Sequence, residues 1–327
     1  MEELVSKFPE QLRVGLEIQK SFSLPYDFAP KGVLICGLGG SGIGGTLVSL
    51  VNQFSGTCPV EVCKGYFIPP YVSPDFLVIV SSYSGNTEET LSCLDQALEK
   101  GARVVCITSG GKMAQKAEKA KLPVALVPGG MPPRACLGYS LVQLTGILVK
   151  AGVLPNSVLE DVLSAAILLE KEEIKIKAEA KKLAEGINGF LPVIYSSTLF
   201  EGVSIRFRQQ LNENAKILCW HHVVPEMNHN ELVGWKDQHP EIAIVWLRDT
   251  EEYSRNEARI AINLEILQSR TPNVFHVFSQ GKSLLEKMIY LIYMGDWASV
   301  YLARARNVDP MEVNVIDFLK SELEKKP

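Results

Sequence analysis

From Lys31 onward, short apolar runs rich in Val and Ile alternate with longer segments whose apolar residues recur at helical spacing. Runs without polar alternation suit strands buried on both faces, and their alternation with helices predicts βα units around a parallel sheet. The pattern predicts strands at residues 33–36, 60–63, 76–81, 104–108 and 124–127. Helices are predicted at 43–54, 87–100, 112–120 and 134–151, the last stopping at Gly152 as helix C-termini often do. After Pro155, Val158, Leu159, Val162, Leu163, Ala166 and Leu169 open a long helix, which a Lys/Glu-rich stretch continues to Gly189. Strand-like runs return at 192–195, 217–219, 242–246 and 274–278, with helices at 200–211, 251–268 and 283–306. No fixed-period repeat, low-complexity linker or heptad run interrupts this order. The expectation is an α/β chain of two domains, residues 1–154 and 155–327.

Length agrees, since 327 residues are about two domains' worth at roughly 100–200 residues each. With 33 Lys+Arg against 37 Asp+Glu the net charge is -4, which argues against nucleic acid as the main partner. Met1-Glu2-Glu3-Leu4-Val5-Ser6-Lys7 is acidic and lacks the features of a secretory signal. The most apolar long stretch, 284–302, contains Glu286, Lys287 and Asp296, charges that cost several kcal/mol each in a bilayer; it is expected as a buried helix, with no membrane partner. Seven cysteines make an odd count, and Cys36, Cys63, Cys106 and Cys219 fall in or beside predicted strands as small core residues do. A reducing, cytoplasmic location is the expectation.

Two turns carry candidate chemistry. The first strand runs into Gly37-Leu38-Gly39-Gly40-Ser41-Gly42-Ile43-Gly44-Gly45, where glycines let a ligand approach the backbone and the next helix offers unpaired N–H groups. A dinucleotide fold would also want an acidic residue closing the second strand, and Glu61 lies near the start of its strand instead. The third strand ends in Ser81-Ser82-Tyr83-Ser84-Gly85-Asn86-Thr87-Glu88-Glu89-Thr90. Hydroxyls of Ser82, Ser84 and Thr87 beside a helix N-terminus suit a phosphate monoester without requiring Lys or a metal. Ordinary capping by Ser84, Asn86 or Thr87 is the alternative.

Gly37-Leu38-Gly39-Gly40-Ser41 followed by Ser82-Tyr83-Ser84-Gly85-Asn86-Thr87-Glu88-Glu89-Thr90 closely resembles the sugar isomerase (SIS) domain. Further blocks are Pro132-Pro133-Arg134, Asn212-Glu213-Asn214-Ala215-Lys216, Met227-Asn228-His229-Asn230-Glu231 and Ala303-Arg304-Ala305-Arg306-Asn307-Val308-Asp309-Pro310. In this order they resemble the bifunctional phosphoglucose/phosphomannose isomerases, over about residues 20–323. The resemblance implies two tandem SIS-type αβα sandwich domains with mainly parallel sheets. It also implies an aldose-ketose isomerase that interconverts glucose 6-phosphate and fructose 6-phosphate, with mannose 6-phosphate as a further substrate.

Moving a proton between C1 and C2 of a sugar phosphate calls for a carboxylate base, a ring-opening group, a cation near the developing charge and a phosphate anchor. Glu213, set beside the predicted strand at 217–219, matches the family's proton-shuttling glutamate. His229 matches the ring-opening histidine, and imidazole titrates near neutrality as that role requires. Arg134 matches the arginine that stabilises the enediolate, and Lys320 a lysine that contacts substrate near the ring oxygen. Ser41, Ser82, Ser84 and Thr87 are the expected phosphate ligands, with the backbone at Gly39 and Gly40 lining the substrate. Arg206 and Arg208 are read as structural. A metal site from His221, His222, His229 and Glu231 is the competing arrangement, without an established ligand spacing; no metal and no cofactor are expected. Family members are homodimers, so the polar 221–231 loop is expected to carry His229 to a neighbour's site. A non-catalytic sugar-phosphate sensor and a dinucleotide-dependent oxidoreductase are the rival functions.

Overall fold

The first strand, β1 (Gly32–Cys36), is buried at every position, as its unbroken apolar run requires. In the computed structural model, which describes residues Met1–Lys326, it belongs to a five-stranded sheet with β2 (Val60–Cys63), β3 (Phe76–Ser81), β4 (Arg103–Thr108) and β5 (Val124–Leu126). All pairs are parallel, in the order β2-β1-β3-β4-β5. The connections leaving β1 and β3 therefore diverge, and the carboxyl ends of these two strands form the crevice where open α/β sheets place ligands.

The helices of this half are α1 (Glu2–Ser6), α2 (Phe8–Ser21), α3 (Gly39–Ser55), α4 (Glu88–Glu99), α5 (Gly111–Lys119) and α6 (Leu137–Lys150). The helix predicted at 43–54 begins at Gly39, so Gly39, Gly40 and Ser41 form its first turn. The helix predicted at 134–151 is divided, because Pro132 holds the chain extended before a single 3-10 turn at Pro133–Ala135, and Cys136, at φ -119°, separates that turn from α6. α2 lies outside the helices predicted from the sequence, although Phe8, Leu12 and Leu16 recur at helical spacing. Its buried face carries Gln11 and Gln19, which hydrogen-bond to the neighbourhood of α6: Gln11 Nε2 donates to the Ala135 carbonyl at 2.6 Å, and Gln19 Nε2 to Gln143 Oε1 at 3.0 Å.

The second half comprises α7 (Ser157–Ile187), β6 (Leu191–Ser197), α8 (Glu201–Ala215), β7 (Trp220–Val224), α9 (Glu231–Gly234), β8 (Ile242–Arg248), α10 (Ser254–Gln268), β9 (Val274–Phe278), α11 (Leu284–Ala305) and α12 (Asn314–Leu323). Its sheet is parallel, in the order β7-β6-β8-β9. Its core gathers Tyr195, Trp246, Val193, Ile244, Met227 and Trp235, with the Tyr195 and Trp246 rings 5.0 Å apart. The strand predicted at 217–219 is displaced. α8 runs on through Ala215, Lys216 ends it in the left-handed conformation (φ 55°), and Leu218 is 81% exposed, so pairing with β6 starts only at Trp220. The stretch expected as a polar 221–231 loop is accordingly strand to Val224, a 3-10 turn at Glu226–His229 and the start of α9.

Chain contacts define two compact units. One is built on the first sheet, Glu3–Glu173 with Ser279–Tyr293; the other is built on the second, Ile174–Phe278 with the chain from Met294 and the first two residues. Among the described residues all seven cysteines are free, and no helix is long and apolar enough to cross a membrane.

Candidate active site

At the carboxyl ends of β1 and β3 the two predicted turns touch. The backbone N–H of Tyr83 donates to Ser41 Oγ at 3.1 Å, linking the serine turn after β3 to the first turn of α3. Ser82 is buried, Thr87 is half-buried and Ser84 is exposed. Thr87 occupies the N-cap of α4, yet its side chain makes no capping bond; Ser82 Oγ and Thr87 Oγ1 pair with each other at 2.9 Å. Ser84 Oγ accepts from the Asn86 N–H at 3.3 Å, and Asn86 Oδ1 accepts from the N–H of Lys112 at 3.0 Å. Capping therefore does not explain the cluster of hydroxyls, and the first-turn N–H groups of α4 have no intrahelical acceptor. Gly85 turns the chain at φ 68°, where a Cβ would stand 1.9 Å from the Gly110 carbonyl oxygen.

Arg134 comes to the same end of the sheet. Gly40 allows it, since a Cβ there would lie 2.7 Å from the Pro133 carbonyl oxygen and 3.2 Å from the Arg134 nitrogen. Arg134 is buried rather than a surface residue at a helix start, and Gly40, Ser41, Tyr83, Pro133 and Cys136 line a small crevice beside it. Tyr83, which the sequence reading passed over, fixes the far wall: its hydroxyl donates to the Pro128 carbonyl at 2.9 Å and accepts from the Met131 N–H at 3.2 Å.

In the second unit, Glu213 sits half-buried in the last turn of α8 instead of in a connection before a strand. That helix is anchored along its length. Arg206 and Asp296 form a buried ion pair through two hydrogen bonds, at 3.1 and 2.9 Å, and Asn214 Nδ2 donates to Ser299 Oγ at 2.9 Å. Burial pushes Asp296 up while the guanidinium opposes it. Lys216 Nζ donates to the carbonyls of Glu213, at 2.5 Å, and Glu312, at 2.6 Å, while Arg306 Nε donates to that of Ala215 at 3.0 Å. Two flanking blocks of the sequence motif thus hold Glu213 in place, and Arg206 is structural as expected.

His229 is exposed at the end of its 3-10 turn, between residues that are pinned. Met227 is buried in the core, and Asn228 Nδ2 donates to Asn263 Oδ1 at 2.7 Å. Asn230 Nδ2 donates to Glu226 Oε1 at 2.9 Å. His222 Nδ1 accepts the Val223 N–H at 2.8 Å, so Nε2 carries the proton and donates to Asn230 Oδ1 at 3.1 Å. Glu231 Oε1 accepts from the Tyr195 hydroxyl and, at 3.1 Å, from Trp220 Nε1. Burial, helped by Arg208 and His222, lowers His221 to about 4. Among the described residues, His221, His222, His229 and Glu231 do not bring their ligating atoms together into one cluster. Among the described residues the one group with clustered metal-ligating atoms is Cys36, Cys63 and Cys93, elsewhere in the fold. Lys320 is exposed on α12, a helix with no buried residue.

A family model described as the bacterial phospho-glucose isomerase C-terminal SIS domain matches residues 176–323, and the SIS domain model matches residues 31–125. The bifunctional phosphoglucose/phosphomannose isomerase of Caldicellulosiruptor bescii is 39% identical over 99% of this chain and 98% of its own. That of Aquifex aeolicus is 37% identical over 91% of this chain and 92% of its own. Among solved structures, the C-terminal domain of glucosamine-fructose-6-phosphate aminotransferase from Francisella tularensis shares the fold, with a TM-score of 0.77 at 14% identity over 95% of this chain and 98% of that one. With two parallel α/β sheets, a serine turn at the switch point of the first and near-full-length identity of this order, the chain belongs to the bifunctional phosphoglucose/phosphomannose isomerase family.

Proposed function

We propose that this chain interconverts glucose 6-phosphate and fructose 6-phosphate, and accepts mannose 6-phosphate, through an enediolate. The observation that carries the phosphate half of this reading is the Ser82–Thr87 hydroxyl pair at an α4 N-terminus that neither residue caps. Ser41, Ser82, Ser84 and Thr87 hold the phosphate with the helix N–H groups, and the backbone at Gly39 and Gly40 borders the sugar. His229 takes the proton from one sugar oxygen and delivers it to another to open the ring. Glu213 removes the proton from C2 of the open aldose to leave an enediolate, the hydroxyl proton passes from O2 to O1, and the same carboxyl returns its proton to C1 to give the ketose. Arg134 stabilises the enediolate and Lys320 contacts the substrate near the ring oxygen. If the bond next to C2 rotates before reprotonation, the proton can return to either face, which accounts for both epimers.

The working unit in this proposal is a homodimer in which His229 serves the neighbour's Glu213. Support comes from α12, where Val315 is 80%, Phe318 66% and Leu319 57% exposed; a short helix with so much uncovered apolar surface is stable against a second copy, not alone in water. Seven free cysteines suit the reducing cytoplasm, where the reaction would serve glycolysis and gluconeogenesis. A non-catalytic sensor would have no use for a Glu213 whose helix end is held by two side-chain cations. The test is a coupled assay of purified protein with fructose 6-phosphate, with and without chelator. Glucose 6-phosphate should appear equally in both, and none in either would overturn the reading.

A further inference from the structure

Three cysteines from three elements meet behind the glycine turn. Cys36 ends β1 and Cys63 ends β2; they are register partners in the parallel ladder, so their side chains emerge on one face of the sheet. α4 covers that face and contributes Cys93. The three sulfurs lie within 4.8 Å of one another, with Cys63 and Cys93 3.9 Å apart. Sulfurs bound to one cation at about 2.3 Å are themselves roughly 3.8–4.0 Å apart, so the thiols already stand near ligand spacing.

Carbonyl oxygens join them. That of Gly65 is 3.3 Å from the Cys93 sulfur, and that of Phe67 is 3.3 Å from the Cys63 sulfur. The segment bearing them is tied to α4: Ser92 Oγ and Gln96 Nε2 donate to the Tyr66 carbonyl at 2.9 and 2.7 Å, and the Ile68 N–H donates to Gln96 Oε1 at 3.2 Å. The Cys93 thiol donates to the Gly65 carbonyl and the Cys63 thiol to that of Phe67, so a cation that displaced these thiol protons would find oxygen acceptors beside the sulfurs. Cys36 and Cys93 are buried, and half-buried Cys63 leaves a way in.

We propose that Cys36, Cys63 and Cys93 bind one soft divalent cation of the zinc class through three thiolates, with a carbonyl oxygen of the 65–67 segment or a water in the fourth position. The thiol protons pass to solvent as the ion enters. A divalent ion leaves the site at a net charge of about −1, whereas a monovalent one would leave about −2 in a largely buried place. The ion is structural: the Gly37 N–H donates to the Cys63 carbonyl at 3.1 Å, so loading ties β1, β2 and α4 together at the base of the glycine turn.

Full-length protein, reduced and stripped with chelator, is titrated with Zn2+ against a chromophoric chelator. One tight equivalent is expected, together with a raised melting temperature and an X-ray absorption first shell of three sulfurs at about 2.3 Å plus one lighter atom. Cys63→Ser and Cys93→Ser should each weaken binding by on the order of 10²-fold or more, while Cys219→Ser leaves it unchanged. Absence of a stoichiometric site, a first shell with fewer than three sulfurs, or undiminished binding in both variants would overturn the proposal. The absorption measurement uses the unmodified protein and so stands even if a variant misfolds.

Discussion

The hydroxyls of Ser82 and Thr87 hydrogen-bond to each other at 2.9 Å across the turn that opens α4, leaving the helix without a side-chain cap. Thr87→Val keeps the shape and deletes the hydroxyl. A hydrogen bond to a charged group contributes about 1.5–3 kcal/mol, so KM for the sugar phosphate should rise by one to two decades. The melting temperature should fall modestly, since no cap is lost but the buried Ser82 hydroxyl loses its partner. Steady-state kinetics with an unchanged KM would remove this turn from the phosphate site.

Glu213→Gln preserves volume, and the Lys216 contact that holds this helix end goes to the backbone carbonyl, which the substitution spares. Turnover should fall by roughly 10²-fold or more while KM stays near the parent value. Near-normal turnover would show that another group moves the proton.

Mixing two inactive variants tests the composite site. Glu213→Gln and His229→Ala, unfolded and refolded together in equal amounts, give mixed dimers in which one site collects both lesions and the other none, if His229 works across the pair. Half of the dimers then carry one good site of two, and about a quarter of parental activity returns. If proven mixed dimers stay as inactive as the separate variants, His229 acts within its own chain or not at all.

The Arg206–Asp296 pair is a stability determinant. Asp296→Asn leaves a buried guanidinium without its carboxylate and should cost about 3–5 kcal/mol in denaturant unfolding, with activity falling alongside because Glu213 rides on the same helix. Arg206→Met combined with Asp296→Leu should recover much of the loss. A cost below about 1 kcal/mol for the single change would mean that water reaches the pair.

His221 gives a pH signature. Folded, it protonates only near pH 4; unfolded, it takes its proton near 6.5. Between these values the unfolded chain holds more protons, so stability declines as pH falls from about 6.5 to 4 and this contribution levels off below. Urea midpoints measured across that window should slope less in His221→Asn than in the parent. Equal slopes would assign the acid sensitivity to other groups.

The β-strands were legible because burial on both faces leaves a run of Val, Ile and Cys that nothing interrupts, as in β1 and β3. The strand at 217–219 was misplaced because Ile217, Leu218 and Cys219 form the same kind of run, whereas the true strand hides two histidines among its residues. The helix end that carries Glu213 was hidden by the same run, and α2, which no predicted element covered, buries Phe8 and Leu12 beside hydrogen-bonded glutamines. Motif blocks named residues but not their work: Lys216 and Arg306 turn out to anchor a helix end, which only distances reveal. Single cysteines read as small core residues, and a register pairing had to be seen before three of them became a group.

The close pass of Gly40 under Pro133 ties the fate of two distant stretches of sequence. A larger residue at position 40 has to be answered by a displaced 132–134 segment, and the displaced segment carries Arg134 with it. Drift among related chains should therefore change these positions together, and a loop graft meant to give another scaffold this turn must bring both pieces or neither.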